Sequence, residues 1–433
     1  MCGGFLFSLL PMQKGDKKII TAWSFYDWAN SVYALVITSA IFPIFYENVT
    51  EKDLGGIVEL FGRKFGSTEI YSYAISLSFL IISVVSPALS GIADYAGKKK
   101  RFMQFFCYLG ALSCASLYFF DTAHIALGLL SVVLASVGFS GSLVFYNAFL
   151  PEIAEPKDQD KVSARGFSMG YIGSSILLIL NLVMIQVFDI DVRWCFVTVA
   201  IWWIGFAQIP FFILPNNVYG RKTEGNLIFK GFKELAQVFK EIRTLPRLKR
   251  FLSSFFVYSM GVQTIMLMAV LFAKKEIVGL EDSDLIISIL LIQFVGVIGA
   301  YAFSKLSSAI GNIKAIGIAL FIWILICVGT YLFVYTPVHF YIVAASVGMV
   351  MGGIQSLSRS TYSKLLPDET QDHASYFSFY DMSEKVGIVI GTFLFGYIEG
   401  FTGSMRASIL ALIAYFLVGF ILLLTIPKSN NVK

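Results

Sequence analysis

The chain has 433 residues, of which 57% are hydrophobic and 14% are charged, whereas water-soluble proteins carry about 25% charged residues. This excess of apolar residues excludes an ordinary water-soluble protein and favours a chain that lipid surrounds. The net charge of +5 is too small to indicate a nucleic-acid-binding surface, so we expect no nucleic-acid partner.

Twelve apolar segments follow one another along the chain, each close to the roughly 20 residues that a helix needs to cross a bilayer. Several have Trp, Tyr or Pro at their ends, as expected for anchoring at a membrane interface. They lack the alternation of apolar and polar residues that is typical of membrane β-strands. The sequence therefore predicts an all-α integral membrane protein with twelve transmembrane helices, near residues 20–46, 70–93, 102–120, 124–149, 166–188, 194–214, 251–273, 284–305, 313–335, 338–361, 375–398 and 405–427.

Basic residues are distributed unequally between the loops. If the N-terminus is cytoplasmic, inner segments hold 24 of the 33 Lys and Arg residues, outer segments hold seven, and two lie within spans. Basic residues concentrate in cytoplasmic loops of membrane proteins, so we expect an even number of spans and two cytoplasmic termini. In a bacterium the membrane would be the plasma membrane.

The first eleven residues are apolar and contain no basic residue. A signal peptide has a basic region ahead of its apolar region. We therefore expect no cleaved signal peptide here, and Met12 is a natural start.

One long polar interruption, with nine Lys and Arg residues, separates six spans from the next six. This division predicts two six-helix bundles related by a pseudo-two-fold repeat. The expected organisation is an N-terminal cytoplasmic tail over 1–18, a first bundle over 19–214, a basic cytoplasmic central loop over 215–250, a second bundle over 251–427, and a C-terminal tail over 428–433.

Two pairs of short motifs support an internal repeat. The loop around Asp94 matches the loop around Ser307, and Pro151-Glu152 matches Pro367-Asp368, with offsets of 213 and 216 residues. Such parallel repeats place a binding site at the interface between them, near the middle of the membrane.

Four motifs then carry a resemblance to a known family. The two-bundle organisation and the loop Gly91–Arg101 resemble the major facilitator superfamily. Tyr26–Ser31, Gly261–Thr264 and Gly352–Arg359 resemble a narrower branch, the autophagy-related vacuolar effluxer-like family, and the likeness covers nearly all of 18–427. That resemblance implies the major facilitator fold and transport of a solute. The branch is associated with amino-acid efflux from fungal vacuoles, while its bacterial members mostly have no assigned substrate.

The sequence departs from the family pattern at two positions. Met260 stands where an acidic residue is expected before Gly261, and Ser307 replaces the acidic residue of the second repeat's loop. A second coupling carboxylate is therefore not expected at position 260.

Polar residues in the first span form one stripe. Asp27, Asn30 and Ser31 share a helical face, and an ionised group inside a membrane costs at least about 2.5 kcal/mol. Two interpretations stay open for Asp27: it binds substrate or a proton, or it forms a buried ion pair or gate near the cytoplasmic end.

The eleventh span carries three charged residues, Asp381, Glu384 and Lys385. Asp381 and Lys385 have the spacing of a local ion pair, which leaves Glu384 on a neighbouring face. A solute with both a carboxylate and an ammonium group would match such a mixed-charge site, so a local structural pair and a substrate site are the two alternatives.

On the tenth span, Gln355 and Arg359 belong to one polar stripe. Arg359 lies near the cytoplasmic end, where it could reach the membrane surface, pair with an acid such as Asp27, or contact substrate. Gln263 in the seventh span is a neutral hydrogen-bonding residue that suits either helix packing or ligand binding.

The loop between the second and third spans contains the candidate gating residues Gly91, Asp94, Gly97 and Arg101. We expect the two glycines to permit a tight turn. The family resemblance implies that Asp94 holds the two bundles together on the cytoplasmic side in one state; the alternative is a simple turn cap.

In the central loop, an apolar stripe predicts a helix that lies on anionic lipid: Phe229, Phe232, Leu235 and Phe239.

The sequence predicts no enzyme, metal site or cofactor. Its three His and five Cys residues show no metal-ligand spacing, and no ATP-binding loop is present. We therefore expect a monomeric secondary active transporter, surrounded by membrane lipids, that works by alternating access. Its expected cargo is a small solute, first of all amino acids or related zwitterions moving outward, with proton coupling left open. Another solute class (sugar, nucleoside or drug) is the alternative, followed by lipid scrambling.

Overall fold

The computed structural model describes residues 14–60, 62–216 and 227–427. The expectations about residues 1–11, the tail at 428–433 and part of the central loop lie outside these ranges.

Among the described residues, twelve helical segments are long and apolar enough to cross a membrane, as predicted. The first span is built from α1, a π-helical segment and α2, and α6 is a short helix that follows the fourth span. The first half contains α1 (Lys17–Val32), the π-helical segment (Tyr33–Ala40), α2 (Phe42–Leu54), α3 (Ser67–Ala96), α4 (Lys99–Ser116) with a 3₁₀ turn (Leu117–Phe119), α5 (Ile125–Asn147), α6 (Leu150–Ile153), α7 (Gln159–Gln186) and α8 (Arg193–Ile213).

The second half begins with a helix inside the predicted central loop and continues with six long helices. They are α9 (Leu227–Thr244), α10 (Pro246–Glu276), α11 (Asp282–Ile310), α12 (Asn312–Phe333), α13 (Pro337–Lys364), α14 (His373–Thr402) and α15 (Met405–Leu424).

The first span changes its helical winding partway across the membrane. In the π-helical segment, the amide of Ile41 donates to the carbonyl of Val36 at 2.9 Å, five residues back. Pro43 lies two residues after Ile41 and has no N–H to continue an ordinary helical ladder. Wide turns of this kind occur frequently at functional sites. Hydropathy alone does not show such a change.

A small antiparallel hairpin lies in the loop between the first two spans, where no strand was predicted. Strand β1 (Ile57–Leu60) pairs with β2 (Arg63–Gly66), with Ile57 opposite Gly66 and Leu60 opposite Arg63. Four residues per strand are too few to give a clear periodic signal in the sequence.

The bundles meet through helix pairs that the internal repeat relates to each other. α3 of the first bundle packs against α14 of the second, and α7 packs against α11 and α13. In the internal repeat, the second span (α3) corresponds to the eighth (α11), and the fifth span (α7) corresponds to the eleventh (α14). The contacts α3–α14 and α7–α11 are therefore equivalent. The pseudo-two-fold arrangement therefore runs through the interface as well as the bundles.

One end of this interface carries most of the basic residues. The α3–α4 turn, the α6–α7 turn, α9 and the α11–α12 turn all lie at this end, and we call it the basic end.

Helix α9 is packed against both bundles at the basic end. Its Gly231 approaches Gly91 of α3 so closely that a Cβ on Gly91 would overlap the Gly231 carbonyl. On its other side, Tyr376 of α14 donates a 2.8 Å hydrogen bond to Glu241. The predicted role of Gly91 in a tight turn was wrong, because Gly91 lies inside α3 and its missing side chain makes room for α9.

The remaining loop residues lie as follows. Gly97 ends α3 with φ of 61°, a left-handed conformation that favours glycine, so its predicted turn role is seen in the structure. Arg101 is exposed on the first turn of α4.

Replacement of Gly91 by Ala tests the α3–α9 contact. The new methyl group would push the backbone of α9 away from the backbone of α3, and overpacking of this kind costs about 1–3 kcal/mol of stability. We expect a lower melting temperature and faster proteolysis within α9. Gly329→Ala is the matched control, because nothing lies within 4 Å of its Cβ position and Ala is the better helix former. Equal behaviour of the two variants would contradict the packing described.

Candidate functional site: charged clusters between and within the bundles

A buried ion pair joins the two bundles. Arg359 of α13 lies with its Nη1 3.2 Å from Oδ2 of Asp27 in α1. The same carboxylate oxygen accepts a 2.7 Å hydrogen bond from the Tyr146 hydroxyl. Both charged side chains are almost fully buried, at 3% and 7% exposure. Of the interpretations considered for Asp27 and Arg359, the structure shows them paired.

The guanidinium of Arg359 has further partners on the first bundle. Its Nε donates to the Ser163 hydroxyl at 2.9 Å and its Nη2 to the Ser163 carbonyl at 2.9 Å. Nη1 also lies 3.3 Å from Oδ1 of Asn147. A buried charge is tolerated only when it is paired and hydrogen-bonded, and these contacts meet that condition. Of the alternatives for Arg359, reach to the membrane surface does not describe this geometry, because residues of the first bundle surround its head group.

Aromatic rings enclose the same guanidinium. Its central carbon lies 4.2 Å from the ring centre of Phe167 and 4.8 Å from that of Trp23. Trp23 stacks on Tyr146 with 4.4 Å between ring centres. Cation–π contact adds about 2 kcal/mol or more where water is excluded, so these rings stabilise the charge and also seal it from water.

Small residues on α7 make room for the pair. A Cβ at Gly166 would meet the Asp27 carboxylate and would lie 3.1 Å from the Tyr146 hydroxyl. Gly170 and Gly173 face α1 in the same way. Close packing of α1 on α7 therefore depends on these glycines, as expected for small residues between membrane helices.

A second charged cluster lies within the second bundle. Lys385 of α14 lies 2.9 Å from Oε2 of Glu384 and 3.6 Å from Oδ1 of Asp381. Gln263 of α10 donates a 2.8 Å hydrogen bond to Oε1 of Glu384. The predicted Asp381–Lys385 pair is present. The view that Glu384 is left over was wrong, because Lys385 has the reach to contact the adjacent residue as well.

This cluster retains unused capacity for a ligand. Oδ2 of Asp381 is buried without a hydrogen-bond partner among the described residues. With both acids and Lys385 ionised, the cluster carries a net charge of −1. The Glu384 side chain is the most accessible of the three, at 22% exposure.

Two predicted site residues lie outside these clusters. Gln355 accepts a 2.7 Å hydrogen bond from the Tyr171 hydroxyl across the bundle interface. Asn30 is buried beside Ser31, and its Nδ2 has no partner in the described part of the chain. Gln355 thus contributes to the interface, while Asn30 keeps a free donor.

Asp94 connects the bundles at the basic end. Its carboxylate accepts hydrogen bonds from the backbone amides of Ala374 at 3.2 Å and Ser375 at 2.7 Å. These amides belong to the first turn of α14, where the helix has unsatisfied N–H groups and partial positive charge. The alternative that Asp94 only caps its own turn does not describe these contacts.

Sequence reasoning missed the residues beside Asp94. Glu152 of α6 is fully buried, forms an ion pair with Lys99 of α4, and has its Oε1 3.0 Å from Nδ1 of His373. His373 is the buried first residue of α14. The repeat motif Pro151-Glu152 drew attention to Glu152 in the sequence, but it did not indicate which residues contact its carboxylate.

A second connection occupies the equivalent place in the repeat. Asp160, in the first turn of α7, accepts hydrogen bonds from the Ser307 hydroxyl at 2.7 Å and from Asn312 Nδ2 at 2.8 Å. Lys364 Nζ also lies 2.8 Å from Asp160. The carboxylate of this second connection is thus supplied by α7, the helix opposite Ser307.

Comparisons with known proteins identify the family and the fold of the chain. A family model described as "Vacuole effluxer Atg22 like" matches residues 15–433. The chain belongs to the Atg22-like family. It is 33% identical over 430 residues, 97% of each chain, to the MFS-type transporter YxiO of Bacillus subtilis (strain 168). It is 22% identical to autophagy-related protein 22 of Coccidioides immitis (strain RS), over 96% of this chain and 88% of that one.

Solved structures show the same fold. The human organic anion transporter MFSD10 aligns with a TM-score of 0.74 and 11% identity, over 95% of this chain and 100% of that one. The transporter FucP in its outward conformation aligns with a TM-score of 0.67 and 15% identity, over 95% and 99%. This Atg22-like chain therefore has the major facilitator fold and is a multi-pass membrane transporter of that superfamily rather than an enzyme.

Exchanging the acid between helices tests the second connection. Ser307→Asp places a second carboxylate against Asp160, so we expect a lower melting temperature. Adding Asp160→Ser to Ser307→Asp leaves one acid and should recover most of the loss. Ser308→Asp is the control, because this neighbouring side chain is exposed. A double variant that melts at a lower temperature than Ser307→Asp alone would contradict the described contact between positions 160 and 307.

Proposed function

We propose that this Atg22-like protein is a secondary active transporter that exports a small zwitterion, in the first place an amino acid. The observation that carries the proposal is the buried cluster of Asp381, Glu384 and Lys385. An ionisable group inside a membrane protein is costly and usually has a function in transport. Three such groups on one helix are more than a local ion pair requires.

The chemistry of the cluster fits both ends of an amino acid. Lys385 can donate to a substrate carboxylate, while the free Oδ2 of Asp381 and the accessible Glu384 can accept from an ammonium group. The net charge of −1 gives the ammonium group an acid that Lys385 does not neutralise. A neutral sugar could hydrogen-bond to these groups but would bring no opposite charge to either the acids or Lys385.

Alternating access would require the basic end to open and close. The Asp27–Arg359 pair and the connections made by Asp94 and Asp160 all cross between the bundles toward this end. We take the arrangement described here as the state closed at the basic end. The bias of basic residues toward this end supports a cytoplasmic location for it and for both termini, in the plasma membrane if the source is bacterial.

The direction of transport rests on the family description. A match to a vacuole effluxer family supports movement of the cargo out of the compartment in which it is held. Export of an amino acid against a gradient needs an energy source, and a proton gradient is the simplest candidate.

Of the two candidate proton carriers, the geometry favours Glu384. Asp27 is enclosed by Arg359 and Tyr146, whereas part of the Glu384 side chain is accessible. We therefore assign coupling to Glu384 and gating to Asp27.

Counterflow in proteoliposomes tests the cargo. Protein reconstituted with an unlabelled amino-acid panel should exchange at least one labelled amino acid. Lys385→Gln should abolish exchange of that amino acid, because the carboxylate partner is lost. Lys314→Gln, which removes an exposed charge on α12, should keep wild-type exchange. Exchange of a sugar or nucleoside but of no amino acid would contradict the proposed amino-acid cargo and leave the proposed solute transport standing. Flipping of labelled lipid without any solute exchange would contradict both the cargo and the solute transport.

The same vesicles test coupling. A pH gradient should drive net transport in the wild type. Glu384→Gln should lose the gradient-driven component while still exchanging cargo, whereas Asp27→Asn should slow both. Gradient-driven transport that persists unchanged in Glu384→Gln would exclude the coupling role.

A further inference from the structure

A cleft opens at the basic end of the second bundle, beneath α9. It has a volume of about 350 Å³, and α10 supplies most of its wall. Most of its lining side chains are apolar, among them Leu252 and Phe256 of α10, while Lys249 and Ser253 are polar. The lining also includes Ile242 of α9 and Leu422 of α15.

The position of the cleft indicates that it faces the bilayer. Leu422 belongs to α15, which packs mainly against α10, α12 and α14 of its own bundle. A cleft with α15 in its wall therefore opens at the periphery and not between the bundles. Its apolar side chains Leu252, Phe256 and Val257 are half-buried, and they extend about two helical turns along α10 from Lys249.

Basic residues lie in the lining of this cleft and next to it in the sequence. Lys249 lines the cleft and is exposed, and Arg243, which directly follows the lining residue Ile242, is exposed on α9 together with Lys240. Nε of Arg247 is buried without a hydrogen-bond partner among the described residues. The nearby acid Glu241 is already engaged by Tyr376 and Gln237. The cleft thus has the Lys249 ammonium in its lining, and further basic residues lie within two positions of its lining residues in the sequence.

We propose that this cleft binds an anionic phospholipid of the surrounding bilayer. The phosphate would lie against Lys249, Ser253 and Arg243, and one acyl chain would follow the apolar wall formed by Leu252 and Phe256. Basic side chains at a membrane surface each contribute about 1 kcal/mol to anionic lipid binding. Exposed Phe229 and Phe232 on α9 would enter the same lipid layer, as expected for an interfacial helix.

Binding at this place would act on the closure of the basic end. α9 touches α3 through Gly231 and α14 through Glu241, so it bridges the two bundles. A lipid held between α9 and α10 stabilises α9 in this bridging position. The bound lipid therefore favours the state closed at the basic end.

A lipid titration tests the site on the full chain. Purified protein in a non-ionic detergent is titrated with phosphatidylglycerol or phosphatidylcholine while its melting temperature is followed. We expect phosphatidylglycerol to raise the melting temperature more than phosphatidylcholine. In Arg243→Gln/Lys249→Gln, apparent lipid affinity should fall about fivefold for each charge removed.

Matched variants separate the cleft from general charge effects. Lys305→Gln/Lys314→Gln removes two exposed charges at the same end, outside the cleft, and should respond to phosphatidylglycerol like the wild type. Lys249→Arg with Arg243 intact should also keep the response. Equal effects of the two lipids, or equal losses in both double variants, would overturn the proposal. Transport is not measured, so the outcome is independent of the cargo.

Discussion

The arrangement of the molecule depends on one constraint: the Arg359 guanidinium lies deep in the protein and must be neutralised there. Asp27 on the opposite bundle supplies the counter-charge, Ser163 supplies further acceptors, and aromatic rings exclude water. Loss of one partner from a buried ion pair typically costs about 3–5 kcal/mol, because the other charge stays behind unpaired. The bundles can therefore separate here only if water or another ion replaces Asp27. The pair is therefore suited to stabilise the state in which the bundles are closed here, and to let them separate once water reaches the two charges.

The connections at the basic end extend this logic through the internal repeat. Each of the two equivalent interfaces contains one carboxylate. At one interface the carboxylate lies against the start of a helix of the other bundle, and at the other interface it lies in the first turn of its own helix. Asp94 reaches the amides of α14, and Asp160 stays on α7 and receives donors from α11 and α12. The repeat relates the backbones of the two interfaces, but it would place the second acid at Ser307 on α11, whereas the acid lies opposite, on α7. Opening of the basic end therefore breaks polar contacts at both interfaces.

Sequence reasoning predicted what depends on composition and local spacing. The spans, the two-bundle repeat, the family, and the Asp381–Lys385 pair follow from hydropathy, motif offsets and helical periodicity. The contacts of Glu152 with His373 and of Asp160 with Ser307 could not be predicted, because they join residues 221 and 147 positions apart. Gly91 was misread because a helix glycine that admits another backbone looks the same in sequence as a turn glycine. The π-helical segment leaves no hydropathy signal, and only Pro43 could have pointed to it.

The most direct test of the account is a distance measurement across the basic end. Spin labels at Lys157→Cys and Lys305→Cys, both exposed and on opposite bundles, report their separation by electron paramagnetic resonance. The account predicts one narrow short-distance population in the otherwise unchanged chain and a shift to longer distances in Arg359→Gln. An identical distance distribution with and without Arg359 would contradict the claim that this ion pair holds the basic end closed.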